Sequence, residues 1–156
     1  MEAPSSVHAT LIFERTIPAT PDRVFAAYTE LAERMQWGAP SESTALIYER
    51  SNFVEGGEDV FRCGPKSNPN IQGTTRYLDI VPNQRIVSSE TIAMDGHRLC
   101  ASLSTLELNP DGDETILKVT IQLVSFVGQD MIQGHERGTN ASLDNLVQYL
   151  RGLNGG

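Results

Sequence analysis

The chain has 156 residues, of which 39% are hydrophobic and 21% charged, a composition that supports one domain with a buried core. Lys and Arg number 12 against 20 Asp and Glu, and the resulting net charge of −8 disfavours nucleic acid and anionic membranes as partners. Two cysteines make no disulfide framework, and the first residues lack the cationic and apolar runs of a signal peptide. We therefore predict a single cytoplasmic domain, ordered over residues 7–153 of 1–156.

The first quarter of the chain predicts one strand and two short helices. Residues 7–17 are rich in branched and aromatic side chains, which favour a strand. Thr20, followed by a proline, suits the N-cap and first position of a helix. Apolar residues at helical spacing then continue to Trp37, which indicates helices over residues 21–29 and 30–37.

The middle of the chain predicts a series of strands separated by turn dipeptides such as Gly-Gly, Pro-Asn and Asp-Gly. The predicted strands cover residues 44–54, 59–63, 74–81, 85–94, 97–108 and 115–124, with a loop over residues 66–73. Because each turn is short, an antiparallel meander is the simplest topology.

The last segment predicts a long amphipathic helix that begins at Gly128 and is capped at its C-terminal end by Gly152. Its stripe consists of Ile132, Thr139, Leu143, Leu146, Val147 and Leu150. A curved antiparallel sheet around such a helix does not fill its own interior easily, so the element order predicts an internal cavity.

Five segments of the sequence carry a resemblance to a known family. They are Arg15–Phe25, Trp37, Gly56–Arg62, Arg76–Val87 and Gly134–Thr139. Together they resemble the START/Bet v 1-like (SRPBCC) superfamily, and within it the branch of activator of Hsp90 ATPase homologues and polyketide cyclase-like proteins. This resemblance implies an α+β helix-grip fold, in which a curved antiparallel sheet of about six or seven strands, in the order β-α-α-β-β-β-β-β-β-α, surrounds a C-terminal helix. A tryptophan is usual in the family where this chain has Thr139, which implies a roomier or more polar cavity.

Arg76 is the main candidate for recognising a polar ligand group. Strand alternation places it on the same face as Leu78 and Ile80, and we assign that more apolar face to the interior. A guanidinium there would bind a carboxylate or enolate of a ligand in bidentate geometry. The alternatives are that Arg76 pairs with an internal acid such as Glu90 or Glu136, or that it points into solvent.

Other residues are predicted to line the same cavity, although each has an ordinary structural interpretation as well. These candidates are Trp37, Phe61, His97, Cys100, Phe126, His135 and Thr139. Either histidine could take part in proton transfer, and His135 could also donate a hydrogen bond into the cavity. Alternatively, His97 is a solvated loop residue and His135 is a structural residue of the last helix. No two histidines have metal-ligand spacing, so neither a metal nor a cofactor is expected.

Three functions remain open from the sequence. The first is binding of a small hydrophobic or aromatic molecule that carries an anionic or polar group. The second is a cyclase- or hydrolase-type enzyme in the same cavity, using Arg76, His97 or His135, with no catalytic residue assigned. The third, implied by the resemblance alone, is a chaperone-interaction module. An open sheet edge would also allow a homodimer.

Overall fold

The computed structural model describes residues 6–154, which form one seven-stranded antiparallel sheet and three helices in the predicted order. The elements are β1 (Val7–Ile17), α1 (Pro21–Thr29), α2 (Leu31–Trp37), β2 (Thr44–Ser51), β3 (Glu58–Pro65), β4 (Ile71–Val81), β5 (Arg85–Met94), β6 (His97–Asp111), β7 (Glu114–Ser125) and α3 (Gln129–Asn154). The strand order is β1-β7-β6-β5-β4-β3-β2, so the first strand pairs with the last and the rest form a meander. The α+β helix-grip prediction is confirmed.

Several predicted boundaries differ from the structure. Strand β4 begins at Ile71 rather than at Thr74, because the last residues of the predicted loop pair with β5. Strands β6 and β7 extend towards each other to a tight turn in which Gly112 has φ 62°. The prediction that Gly152 caps α3 is wrong, since the helix continues through it to Asn154.

The hydrophobic core lies between the concave face of the sheet and α3. Alternate residues of β7 point inward and are almost fully buried, and they are Leu117, Val119, Ile121 and Leu123. The apolar stripe of α3 packs into the same cluster through Ile132, Leu143, Leu146 and Leu150. Burial of one such side chain contributes roughly 1.5–3 kcal/mol, so these contacts hold the helix in the curve of the sheet.

The short helices close one end of this core, and the segment that follows α2 is fixed to α3 by hydrogen bonds. Ser142 Oγ donates to the Gly38 carbonyl over 2.8 Å, and Asn145 Nδ2 donates to the Ala39 carbonyl over 2.9 Å. The segment after α2 is thereby anchored to the middle of α3, which positions the aromatic end of α2 beside the interior.

A β-bulge in β4 decides which of its side chains face the interior. Tyr77 pairs with Ser88 and Asp79 pairs with Val87, so Leu78 is an extra residue without a partner on β5. The inserted residue reverses the alternation, so odd-numbered residues face the interior before the bulge and even-numbered residues face it after the bulge. Tyr77 is consequently buried, whereas Leu78 is 48% exposed.

The prediction that Arg76 points inward is therefore wrong. Ile80 does pack against the core, as the sequence suggested, but the bulge separates it from Arg76 and breaks the shared face. Arg76 lies on the outer surface, where its Nη2 donates to Glu58 Oε2 over 2.8 Å. Its partner is neither Glu90 nor Glu136.

Candidate functional site

A cavity of about 410 Å³ lies between the concave face of the sheet and α3. One part of its wall is aromatic and comprises Tyr28, Trp37, Tyr48, Phe53 and Phe61. Strands β5 to β7 add aliphatic side chains, and α3 contributes residues three or four positions apart, as one face of a helix does. The α3 residues are His135, Gly138, Thr139, Ser142 and Leu143.

A row of polar residues crosses the floor of this cavity. Direct register partners on five consecutive strands, β2 to β6, form it, and they are Ser51, Asp59, Thr75, Glu90 and Ser102. Partners in an antiparallel pair point to the same face, so one pairing register aligns all five side chains. We call this set the polar row; all of its members except Ser51 line the cavity.

At one end of the polar row, Asp59 forms a buried ion pair with Arg34 of α2. Arg34 Nη1 lies 2.7 Å from Asp59 Oδ2, and the two residues are 7% and 2% exposed. Arg34 also donates to Tyr77 Oη and to Ser51 Oγ, each over 2.9 Å, while Tyr77 and Ser51 donate to Asp59. Tyr48 stacks on the guanidinium, whose Cζ is 4.6 Å from the ring centroid. Hydrogen bonds within the cluster thus occupy both carboxylate oxygens.

Burial keeps the cavity tyrosines protonated. It raises the pKa of Tyr77 well above its usual range, and the hydrogen bond to Asp59 acts in the same direction. Burial likewise raises the pKa of Tyr48 to about 12, with smaller upward contributions from Asp59 and Glu90. At neutral pH these hydroxyls are therefore neutral hydrogen-bond donors.

In the middle of the polar row, Glu90 faces His135 of α3 across the cavity. Thr75 Oγ1 donates to Glu90 Oε2 over 3.2 Å. His135 Nε2 lies 3.8 Å from Glu90 Oε1, and His135 Nδ1 lies 3.4 Å from Thr139 Oγ1. The Glu90 side chain is 27% exposed and that of His135 is 13% exposed. Sheet and helix thus present a carboxylate and an imidazole to the same space.

Four of the eight predicted residues lie on the cavity wall, namely Trp37, Phe61, His135 and Thr139. Trp37 is 6% exposed, and its Nε1 donates to the Ala27 carbonyl over 3.2 Å. Its ring packs edge-on against the ring of Tyr28, with the two ring centroids 4.8 Å apart. This wall position fits the predicted stacking role, although the ring also packs as part of the core. The binding roles of these four residues stay predictions.

The other four lie elsewhere, and their predicted place on the cavity wall is wrong. Arg76 is on the outer surface, and His97 is exposed because it follows a tight turn at the end of the sheet, where Asp95 and Gly96 both have positive φ. Cys100 is 1% exposed but packs within the core. Phe126 follows the end of β7, and its amide bonds to the Leu99 carbonyl away from the cavity.

Sequence reasoning missed Arg34 and Asp59 and considered Glu90 only as an internal partner for Arg76, although alternation carried part of the signal for both acids. Glu90 shares a strand face with Ile86 and Ile92, and Asp59 shares one with Phe61. Those apolar neighbours mark both faces as inward. Arg34 had no such signal, because a charged residue in a short helix is usually solvated.

The residues that the structure describes also limit other kinds of site. Within residues 6–154, no three or more His, Cys, Asp or Glu side chains gather as a metal-binding group. None of the helices in this part of the chain is long and apolar enough to cross a membrane.

The curved sheet, the enclosed helix and the cavity between them define a START/Bet v 1-like helix-grip protein. The family model described as "Activator of Hsp90 ATPase homolog 1-like protein" matches residues 18–151, and the chain belongs to this family. No curated protein matches the chain significantly.

Solved structures show the same architecture over nearly the whole chain. The Mll3558 protein from Rhizobium loti is 37% identical, with 94% of this chain and 99% of that chain covered and a TM-score of 0.83. An uncharacterized protein from Rhizobium leguminosarum is 28% identical, and the match covers 94% of this chain and 97% of that chain with a TM-score of 0.82. DynU16, from the dynemicin biosynthetic locus, is 16% identical, and the match covers 91% of this chain and 47% of that chain with a TM-score of 0.67. At this identity the similarity shows the fold alone.

Proposed function

We propose that this protein binds a small, largely hydrophobic or aromatic molecule in the cavity between the sheet and α3. The observation that carries the proposal is an aromatic-walled space of about 410 Å³ whose floor holds the polar row. Ligand sites in proteins typically measure about 300–1,000 Å³ and combine apolar walls with a few placed polar groups. An apolar ligand body would fit the aromatic side, and one polar group would meet the row.

The location of the arginines changes the expected polar group. The expectation of an anionic ligand depended on Arg76, which lies outside the cavity and pairs with Glu58. Arg34 does line the cavity, but Asp59 neutralises it at 2.7 Å. The observations therefore support a polar group on the ligand without supporting a negative charge on it.

Two glycines of α3 provide a matched test. Gly138 lines the cavity and Gly134 does not, and a Cβ at either position would meet nothing within 4 Å. We expect Gly138→Leu to fill the cavity and Gly134→Leu to leave it open, while both substitutions gain similar helix propensity.

The probe is the neutral dye N-phenyl-1-naphthylamine, whose fluorescence rises in apolar surroundings. The wild type and Gly134→Leu should bind it equally, and Gly138→Leu should bind at least about tenfold more weakly, since the lost contacts are those of a buried aromatic group. Absence of binding to the wild type, or equal binding to both variants, would contradict the proposal.

An enzyme remains the second candidate because Glu90 and His135 converge in the cavity. Their 3.8 Å separation brings together two groups that can accept or deliver a proton. The ring opening of 5-nitrobenzisoxazole tests for such a base, since removal of its C–H proton breaks the N–O bond and releases a coloured phenolate. Acceleration that is lost in Glu90→Gln would favour the enzyme, and a rate equal to that in buffer would count against it.

A further inference from the structure

Two basic and two acidic side chains line the cavity in the part of the chain that the structure describes. Among the residues that the structure describes, its cations and acids are Arg34, Asp59, Glu90 and His135. Arg34 and Asp59 form one neutral, nearly inaccessible pair. The charge that a ligand meets is consequently decided by Glu90 and His135.

Glu90 has one carboxylate oxygen available to a ligand. Oε2 accepts a hydrogen bond from Thr75, whereas Oε1 accepts none from residues 6–154, and His135 Nε2 on the facing helix lies 3.8 Å from it. That distance exceeds the range of a hydrogen bond, and it is an ion pair only when the imidazole is protonated. Opposite a neutral imidazole, Glu90 lacks a cationic partner within the described cavity wall.

A carboxylate in a largely apolar cavity is stabilised most by a cation that also donates a hydrogen bond. The surrounding aromatic side chains suit such a ligand, because aromatic faces attract cations as well as apolar groups. An anion at the same place would meet Glu90 with like-charge repulsion and without a free guanidinium to offset it.

From this geometry we propose that the ligand is an aromatic or aliphatic amine, whose ammonium group donates to Glu90 Oε1 while its apolar body lies against the aromatic wall. This proposal rests on the proposed function, because it assigns the ligand class of the same cavity. It also reverses the charge that the sequence suggested, since the inward-facing charged group with an oxygen that accepts no hydrogen bond from residues 6–154 is Glu90 and not Arg76.

Three naphthalene probes of similar shape separate the charge preference from simple hydrophobic binding. They are 2-(aminomethyl)naphthalene, 2-naphthalenemethanol and 2-naphthoate, measured by titration calorimetry at pH 8 on the full chain. The amine should bind about tenfold or more tightly than the alcohol, because a charge-assisted hydrogen bond is roughly twice as strong as a neutral one. The naphthoate should bind most weakly.

A pair of variants assigns the preference to one carboxylate. Glu90→Gln removes the cavity charge, and Glu136→Gln removes the same charge from an exposed position of α3 next to His135. We expect Glu90→Gln to reduce the advantage of the amine over naphthoate by about tenfold or more, and Glu136→Gln to preserve it.

The outcomes distinguish the two proposals. If none of the three probes binds, the proposed function fails, and the ligand class fails with it. If naphthoate binds as tightly as the amine, or if Glu90→Gln keeps the wild-type order, the proposed function survives and the amine assignment is overturned. The order of the three probes on the wild type tests the assignment even if Glu90→Gln does not fold.

Discussion

The ring of Phe61 lies directly over Gly73, its register partner on the neighbouring strand. A Cβ at residue 73 would overlap the Phe61 ring, so this aromatic part of the cavity wall can occupy its position only because β4 has a glycine there. A glycine inside a strand weakens the strand, and here the close approach of an aromatic ring accounts for it.

Gly73→Ala should therefore displace Phe61 and lower the free energy of unfolding by about 1–3 kcal/mol, the usual cost of an overpacked interior. Urea denaturation measures this effect. Phe61→Leu provides the control, because a smaller side chain leaves room for the new methyl group. In a double-mutant cycle the two changes should cost less together than the sum of the single changes, and simple additivity would contradict the overlap.

The Arg34–Asp59 ion pair should be far more sensitive to substitution than the Arg76–Glu58 pair. Arg34→Met leaves Asp59 without its ion-pair partner at 2% exposure, and breaking a buried pair in this way costs about 3–5 kcal/mol. Arg76→Met is the matched control, because that side chain is 55% exposed and its pair contributes at most about 1 kcal/mol. Thermal and urea unfolding of both variants checks this difference. Equal losses would contradict the burial of Arg34.

Gly134 and Gly138 should make α3 less stable than it could be. Gly134→Ala and Gly138→Ala should each raise the free energy of unfolding by up to about 1 kcal/mol, since a Cβ meets no neighbour at either position and alanine favours the helix. Chemical denaturation measures the gain. A loss of stability at Gly138 would show that the backbone there requires glycine.

Stability should fall in alkali because burial raises the pKa of the Cys100 thiol to about 11, with a smaller contribution from Glu90. The unfolded thiol ionises near its ordinary pKa of 9.0 and the folded thiol does not, so the unfolded state binds fewer protons between the two values. The contribution of Cys100 is complete below pH 9 and is lost as the pH rises to 11. Over that range it amounts to about 2–3 kcal/mol.

Urea denaturation between pH 8 and pH 11 tests this prediction when the wild type is compared with Cys100→Ala. The variant should start from a lower stability, because it loses a buried side chain, and should decline less steeply with pH. Parallel declines would show that other groups, such as the buried tyrosines, account for the alkaline loss.

The order of the elements could be predicted from the sequence because each has a local signal. The helical spacing up to Trp37, the Asp95-Gly96 turn and the apolar stripe of α3 depend on nearby residues only, and the structure confirms the elements that they indicate. The family motifs around them added the arrangement of these elements into a helix-grip fold.

The orientation of single side chains was harder to predict because it depends on pairing between strands. Leu78 forms a bulge only through the register of β4 against β5, and one extra residue is enough to turn Arg76 outward and Tyr77 inward. The approach of Arg34 to Asp59 joins residues 25 positions apart. No local pattern in α2 reports that contact.

The polar row also bears on how the sheet selects its alignment during folding. A shift of one strand by a single residue would remove Asp59 or Glu90 from its hydrogen-bonding neighbours and set it against an apolar side chain or in solvent. A shift of β3 would lose several charge-assisted contacts of Asp59 at once, and a shift of β5 would lose the contact between Thr75 and Glu90, so the row disfavours wrong alignments of β2 to β5 whether or not any molecule enters the cavity.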